Sequence, residues 1–321
     1  MNRRGFLKAA AGTSIGALAI DSYWSRALAA VANGDPLPRR PYNSRDSLSI
    51  IGFGGIVLLG QEQADADREV ARAVDRGVNY FDVAPAYGRG EAERKLGPAL
   101  APYRGRVFLA DKSNQRDADG CRAELEQSLR VLRSDYFDLY QLHAISTAED
   151  VEKVFAPGGA METLTRARDE GKVRYLGFSS HDEDVALDLL ERFDWDSVLF
   201  PINYVCYAQG GFGPRLVARA RQKGVARLAL KALAHTPWES QRQRNENHPK
   251  CWYRPIADLD KARAALRFTL SEDVTSAIPP GDQTIYRIAE NLGSQIKPLT
   301  PAERESLLAS TAGLEPIFAA A

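Results

Sequence analysis

The sequence predicts an α/β fold, a (β/α)8 barrel (TIM barrel) in one domain, spanning residues 48–321 behind an N-terminal signal peptide. Short, nearly continuous apolar runs alternate with amphipathic stretches eight times from residue 49 onward. Runs of that kind form parallel strands covered on both faces. Eight such units over about 250 residues match a closed barrel. The alternative, a doubly wound open sheet, requires Gly-x-Gly-x-x-Gly at a strand-to-helix turn, and the sequence has none.

Residues 30–47 include a Pro- and Arg-rich stretch, DPLPRRPYNSRDS, that reads as an extended lead-in. Residues 49–59 read as a Gly-rich strand and 65–77 as a helix stopped by Gly77. A strand at 78–83, a helix at 91–100 and a strand at 106–112 follow. In 120–134, Leu125, Leu129 and Leu132 share one helix face. The alternation continues with strands at 136–143, 173–180, 197–204, 225–233 and 274–280. The intervening helices fall at 160–172, 183–193, 213–224, 259–271 and 282–296. A last helix starts at Thr300, its cap, with Pro301 and Glu303 in the first turn.

The chain of 321 residues is 44% hydrophobic and 26% charged, the composition of a globular protein. Its formal net charge of zero provides no broad basic field, so no nucleic-acid partner is expected. No apolar run reaches the roughly 18 residues of a membrane span, so no stable membrane insertion is expected. The cysteines Cys121, Cys206 and Cys251 lie far apart with no Cys-x-x-Cys, and His143, His181, His235 and His248 lack ligand spacing. No metal site is expected from them. A single Cys206–Cys251 bridge stays open in an oxidising compartment.

Catalytic side chains of barrels stand at the C-terminal ends of strands. Asp82 ends the second predicted strand and Tyr87 follows in its loop. Lys112 closes the third strand and His143 the fourth. Taken singly, each has a structural role open to it: a turn cap, a solvated strand end, a core histidine. Four of them on one rim point to chemistry.

FDVAPAYGRGEAERKLG (81–97) resembles the Asp-x4-Tyr signature of the aldo/keto reductase family, running into its Glu-x-x-Leu-Gly helix at Glu93, Leu96 and Gly97. FLADK and DLYQLH are similar to that family's lysine and histidine strands, VRYLGFSSH to its fifth strand and RIAENL to its last barrel helix. The resemblance implies an NAD(P)(H)-dependent oxidoreductase that interconverts an aldehyde or ketone, sugars included, and its alcohol. The chemistry of the four residues agrees with it. Tyr87 is a weak acid with an ordinary pKa of about 10. A nearby Lys112 ammonium is expected to lower it. Asp82 holds Lys112, and His143 orients the substrate oxygen.

The resemblance also suggests cofactor contacts. Ser179 and Ser180 stand where the family has a Ser-Asn pair, and Asn203 where it has Gln. Lys231 replaces an aromatic, as a phosphate or substrate contact or else a solvated strand end. Gly281, Arg287 and Asn291 follow the eighth strand, where the family grips the 2′-phosphate of NADP. NADP(H) is favoured and NAD(H) is open, because Asp282 would repel a phosphate. In the long segment 235–255, Trp238, Trp252 and Tyr253 either line a substrate pocket or pack the loop onto the barrel. An alternative to turnover is a barrel that binds a dinucleotide or sugar as a sensor or assembly subunit.

At the N-terminus, Arg3-Arg4-Gly5-Phe6-Leu7-Lys8 resembles a twin-arginine export signal. Small residues in SRALAAVANG suit cleavage after Ala29, or as late as Ala32. This implies a signal peptide over residues 1–29, passage through the twin-arginine translocation machinery, and a periplasmic location. A basic helix that stays attached is the alternative.

Overall fold

The computed structural model describes residues 36–320. The predicted signal peptide lies outside the described residues. The first elements are β1 (Arg39–Pro41) and β2 (Ser47–Ser49), an antiparallel pair. The parallel strands begin with β3 (Phe53–Gly54), β4 (Tyr80–Asp82), β5 (Phe108–Ser113) and β6 (Phe137–Leu142). They continue with β7 (Val173–Ser179), β8 (Ser197–Pro201) and β9 (Ala226–Leu230). After the antiparallel pair β10 (Ala234–Thr236) and β11 (Arg254–Pro255), β12 (Ser276–Ile278) completes an eight-stranded parallel sheet. Its two end strands meet just ahead of β3: Gly52 N donates to Ala277 O at 2.9 Å, and Ala277 N to Ile50 O at 2.9 Å. The sheet is thereby drawn into a barrel.

The helices of the first half are α1 (Gln63–Asp75), α2 (Glu91–Leu100), α3 (Ala118–Leu132), α4 (Ala148–Phe155), α5 (Ala160–Asp169) and α6 (Glu183–Arg192). Those of the second half are α7 (Tyr204–Gly210), α8 (Pro214–Gln222), α9 (Gln241–Asn247), α10 (Leu259–Ser271), α11 (Gln283–Gly293) and α12 (Pro301–Ala309). Side-chain caps start many of them, as at Asp117, Thr147, Asp182 and Asp258, and Thr300 with Glu303 closes a full capping box. Among the described residues no helix is long and apolar enough to cross a membrane.

The lead-in does more than extend. The β1–β2 hairpin plugs the N-terminal mouth of the barrel, with Tyr42 and Leu48 packed among Tyr80, Phe108 and Leu139. The Tyr42 and Phe108 rings stand 5.0 Å apart. Polar groups are thereby left to the other mouth.

Several predicted boundaries shift. The run 49–59 is a strand only at Phe53–Gly54 and turns at once into a 3-10 helix (Gly55–Leu58), because its glycines bring backbone against Tyr80 and Val83. The strand at 197–204 ends at Pro201, and Asn203 caps α7 with its side chain. Helices α4, α7 and α9 were absent from the sequence expectation. Thr147, with Glu149 and Asp150 behind it, was the signal for α4.

The glycine of the Glu-x-x-Leu-Gly helix is explained by packing. A Cβ on Gly97 would run into the Val131 carbonyl and stand 2.9 Å from Leu132 Cα, so its absence lets α2 lie close on α3. Gly97→Ala is expected to destabilise the fold by about 1–3 kcal/mol. Urea denaturation midpoints measure this, and an unchanged midpoint would refute the close-approach role.

Candidate active site

All four rim residues meet at the C-terminal mouth. Asp82 is the last residue of β4, Lys112 the penultimate residue of β5, and His143 follows β6 directly. Tyr87 sits in the loop to α2, where positive φ at Gly88, Arg89 and Gly90 turns the chain sharply.

Lys112 and Asp82 form a fully buried ion pair, and Lys112 also donates to Val83 O at 2.9 Å. The second Asp82 oxygen accepts from the Tyr80 hydroxyl and the Gln141 amide, each at 3.2 Å. Burial alone would pull the Lys112 ammonium down, but Asp82 and Tyr87 outweigh it and hold the group above its usual range. Lys112 Nζ stands 5.1 Å from the centre of the Tyr87 ring, and the His143 ring meets that ring edge-on at 5.7 Å.

The expectation that Lys112 lowers the Tyr87 pKa is corrected here. Burial drives the phenol up, Lys112 pulls it down, and the net shift is upward. The resting phenol therefore keeps its proton. Burial, with the charges of Lys112, Arg116 and Lys231, lowers His143 to about 3, so its ring is neutral at ordinary pH.

These side chains open into a cleft of about 270 Å³. Ser179, Lys231 and Gly281 line it. Ser180 does not: its hydroxyl is spent on the turn at Asp182. Asn203 does not line it either: its carbonyl oxygen caps α7, and its buried Nδ2 finds no partner. Arg287 is bound to Glu69, and the largely buried Asn291 lies away from the cleft wall. Asp282 caps α11 with one carboxylate oxygen and faces His248 Nδ1 at 3.2 Å with the other. Lys231 is 9% exposed, so it is no solvated strand end.

Of the aromatics in the long segment, Trp252 and Tyr253 line the cleft. Trp238 donates to Cys251 O at 2.9 Å and lines a separate cavity of about 260 Å³. The three cysteines are free and buried, so Cys206 and Cys251 are not bridged. The sequence reading missed Tyr80, Gln141, His181 and Lys250. Tyr80 and Gln141 stand two residues before Asp82 and His143, so alternation along their strands was a signal for both.

Comparison with known proteins came to one answer. A family model described as "Aldo/keto reductase family" matches residues 50–309. The uncharacterized oxidoreductase YqkF of Bacillus subtilis is 25% identical over 292 residues, covering 82% of this chain and 93% of that protein. Methylglyoxal reductase YeaE of Escherichia coli is 29% identical over 267 residues, covering 80% of this chain and 89% of that protein. Among solved structures, the holo form of the aldo-keto reductase AKR11C1 from Bacillus halodurans superimposes with a TM-score of 0.66 at 24% identity. It covers 86% of this chain and 96% of its own.

His143 and His181 are both lowered to about 3, with burial the first cause. Between pH 6.5 and 3 the unfolded chain takes up protons that the folded chain refuses, so stability is lost as pH falls through that window. Melting temperature is expected to fall from pH 6.5 to 4.5 more steeply in the wild type than in the double variant His143→Gln/His181→Gln. Parallel curves would show that neither ring is held neutral.

Proposed function

Because this chain belongs to the aldo/keto reductase family, we propose that the cleft is its active site and Tyr87 the proton donor there. The chain is an NAD(P)H-dependent oxidoreductase of carbonyl and alcohol groups. The observation that carries the assignment of roles is the buried Lys112–Asp82 pair beneath the Tyr87 ring, with His143 on the ring's edge.

In the reductive direction Tyr87 gives its proton to the carbonyl oxygen. The raised phenol suits that role, since the donor must be protonated before the reaction. Lys112 stabilises the phenolate left behind, and Asp82 fixes Lys112 in place. The neutral His143 ring hydrogen-bonds the substrate oxygen and orients it. In the oxidative direction the phenolate takes the alcohol proton back.

The nicotinamide dinucleotide supplies the hydride. The residues present fit such a group. Gly281 and Ile56 both line the cleft and approach so closely that a Cβ on Gly281 would collide with Ile56. The Ser179 hydroxyl suits a carboxamide, and Lys250 on the cleft wall suits the phosphates. We read the dinucleotide as NAD(H), against the lean of the sequence resemblance. At the start of α11 the Asp282 carboxylate opposes a 2′-phosphate, and Arg287 is committed to Glu69.

We also propose export through the twin-arginine route with the dinucleotide already bound. The support is the Arg3-Arg4-x-Phe-Leu-Lys motif and the small residues before Ala29. Replacing Arg3 and Arg4 with lysine is expected to keep the protein in the cytoplasm, as cell fractionation would show. Periplasmic accumulation of that variant would refute the route.

Tyr87→Phe is expected to cut turnover of aldehydes about 10²–10⁴-fold while leaving dinucleotide binding intact. Steady-state rates and fluorescence titration measure the two. Wild-type turnover in that variant would remove Tyr87 from its role. Denaturing the purified protein and weighing the released dinucleotide by mass spectrometry distinguishes NAD from NADP.

A further inference from the structure

Resting on the reading of the cleft as a carbonyl-reducing site, we infer that its substrates carry a carboxylate on a short aldehyde or ketone. Lys231 and His181 receive that group. Lys231 directly follows β9 at the same rim and lines the same cleft. Its backbone sits at φ 60°, a left-handed conformation that strains a residue with a side chain. The turn itself, closed by Ala234 N to Lys231 O at 3.0 Å, would be held with less strain by glycine. The turn therefore gives no reason for a lysine, and the side chain must supply one.

Lys231 is buried as a residue, and its ammonium has His181 Nε2 as polar neighbour at 2.7 Å. An ammonium only donates, so His181 accepts through Nε2 and is neutral. The rings of Trp252 and Phe318 lie 5.8 and 5.6 Å from Nζ. No carboxylate among the described residues pairs with Lys231. Burial pushes it down to about 7, with only the Cys206 thiol acting the other way. A buried ammonium is stable when an anion meets it.

The charges of the whole cleft point the same way. Asp82 is the one carboxylate among the lining residues, and it is bound to Lys112. Lys231 and Lys250 are left in excess. The charges of both Lys112 and Lys231 bear on His143, so Lys231 lies within electrostatic reach of the reacting oxygen. A carbonyl seated on Tyr87 and His143 can therefore place an anionic substituent at Lys231. A neutral analogue leaves that ammonium without an anion, which a site of this kind rejects. Dinucleotide phosphates offer the same oxygen chemistry. Lys250, close enough to Asp282 to feel its charge, is the group that answers them.

The test uses ω-oxo acids from glyoxylate to 6-oxohexanoate, each with its neutral amide, on the full-length wild type, Lys231→Met and Lys231→Arg. The best acid is expected to exceed its amide at least about tenfold in kcat/KM. Lys231→Met should bring the ratio near one, and Lys231→Arg should keep part of it. Equal rates for acid and amide in the wild type, or a preference that survives Lys231→Met, overturn the proposal. Weaker dinucleotide binding in Lys231→Met with acid and amide falling in parallel gives Lys231 to the cofactor phosphates, and also overturns it. Turnover of no carbonyl at all refutes the oxidoreductase reading instead. The anion site is then decided by tryptophan fluorescence, since Trp252 stands beside Lys231. Quenching by the acid, absent with the amide and lost in Lys231→Met, supports the site, and its absence overturns it.

Discussion

An ammonium ion at zero exposure near the C-terminal ends of the barrel strands is the constraint around which this rim is organised. Lys112 cannot be hydrated there, so it needs an anion and further acceptors, which Asp82 and the Val83 carbonyl supply. Asp82 in turn needs donors for its second oxygen, and Tyr80 and Gln141 provide them. These groups come from three neighbouring strands. Lys112 and Gln141 are register partners across β5 and β6, and Asp82 pairs with Ala110 across β4 and β5. A one-residue slip would turn each of these side chains to the other face. Strand register and the buried charge pair of the rim are thus one requirement.

The two mouths of the barrel divide the work. At the N-terminal end, the β1–β2 hairpin closes the interior with Tyr42 and Leu48, so that end is a packed core. At the C-terminal end the strands stop and their last residues turn polar. The carboxylate and ammonium lie beneath, and the phenol and imidazole lie above them in the cleft. Burial then sets the proton positions. It keeps Tyr87 protonated against the pull of Lys112, and keeps His143 and His181 neutral. The charge beneath the Tyr87 ring is confined to the Lys112–Asp82 pair.

The opposite wall is built from segments distant in the chain. Lys231 after β9, His181 after β7, Trp252 from the β10–β11 loop and Phe318 near the C-terminus converge on one spot. The His181 and Phe318 rings stand 5.3 Å apart, and Ala320 N donates to Gly210 O at 2.8 Å, holding the tail onto the rim. The wall that carries Asp82, Lys112 and His143 is anchored by strand register, whereas this wall is anchored by loop and tail packing. Loop-built walls are where barrels vary their substrates.

Local pattern was enough for the architecture. Apolar runs followed by amphipathic stretches marked the eight strand–helix units, the Thr300 cap marked the last helix, and strand ends marked Asp82, Lys112 and His143 with Tyr87 beside them. Each of these is written in neighbouring residues, because periodicity, capping and strand termini are short-range properties. The tertiary structure alone decided what those side chains meet. It spent Arg287 on Glu69 and Ser180 on its own turn, made a plug of the lead-in, and joined His181 to Lys231 across 50 residues. It also reversed the expected shift of Tyr87, since desolvation depends on everything packed around a group and outweighed the single charge that the sequence placed nearby.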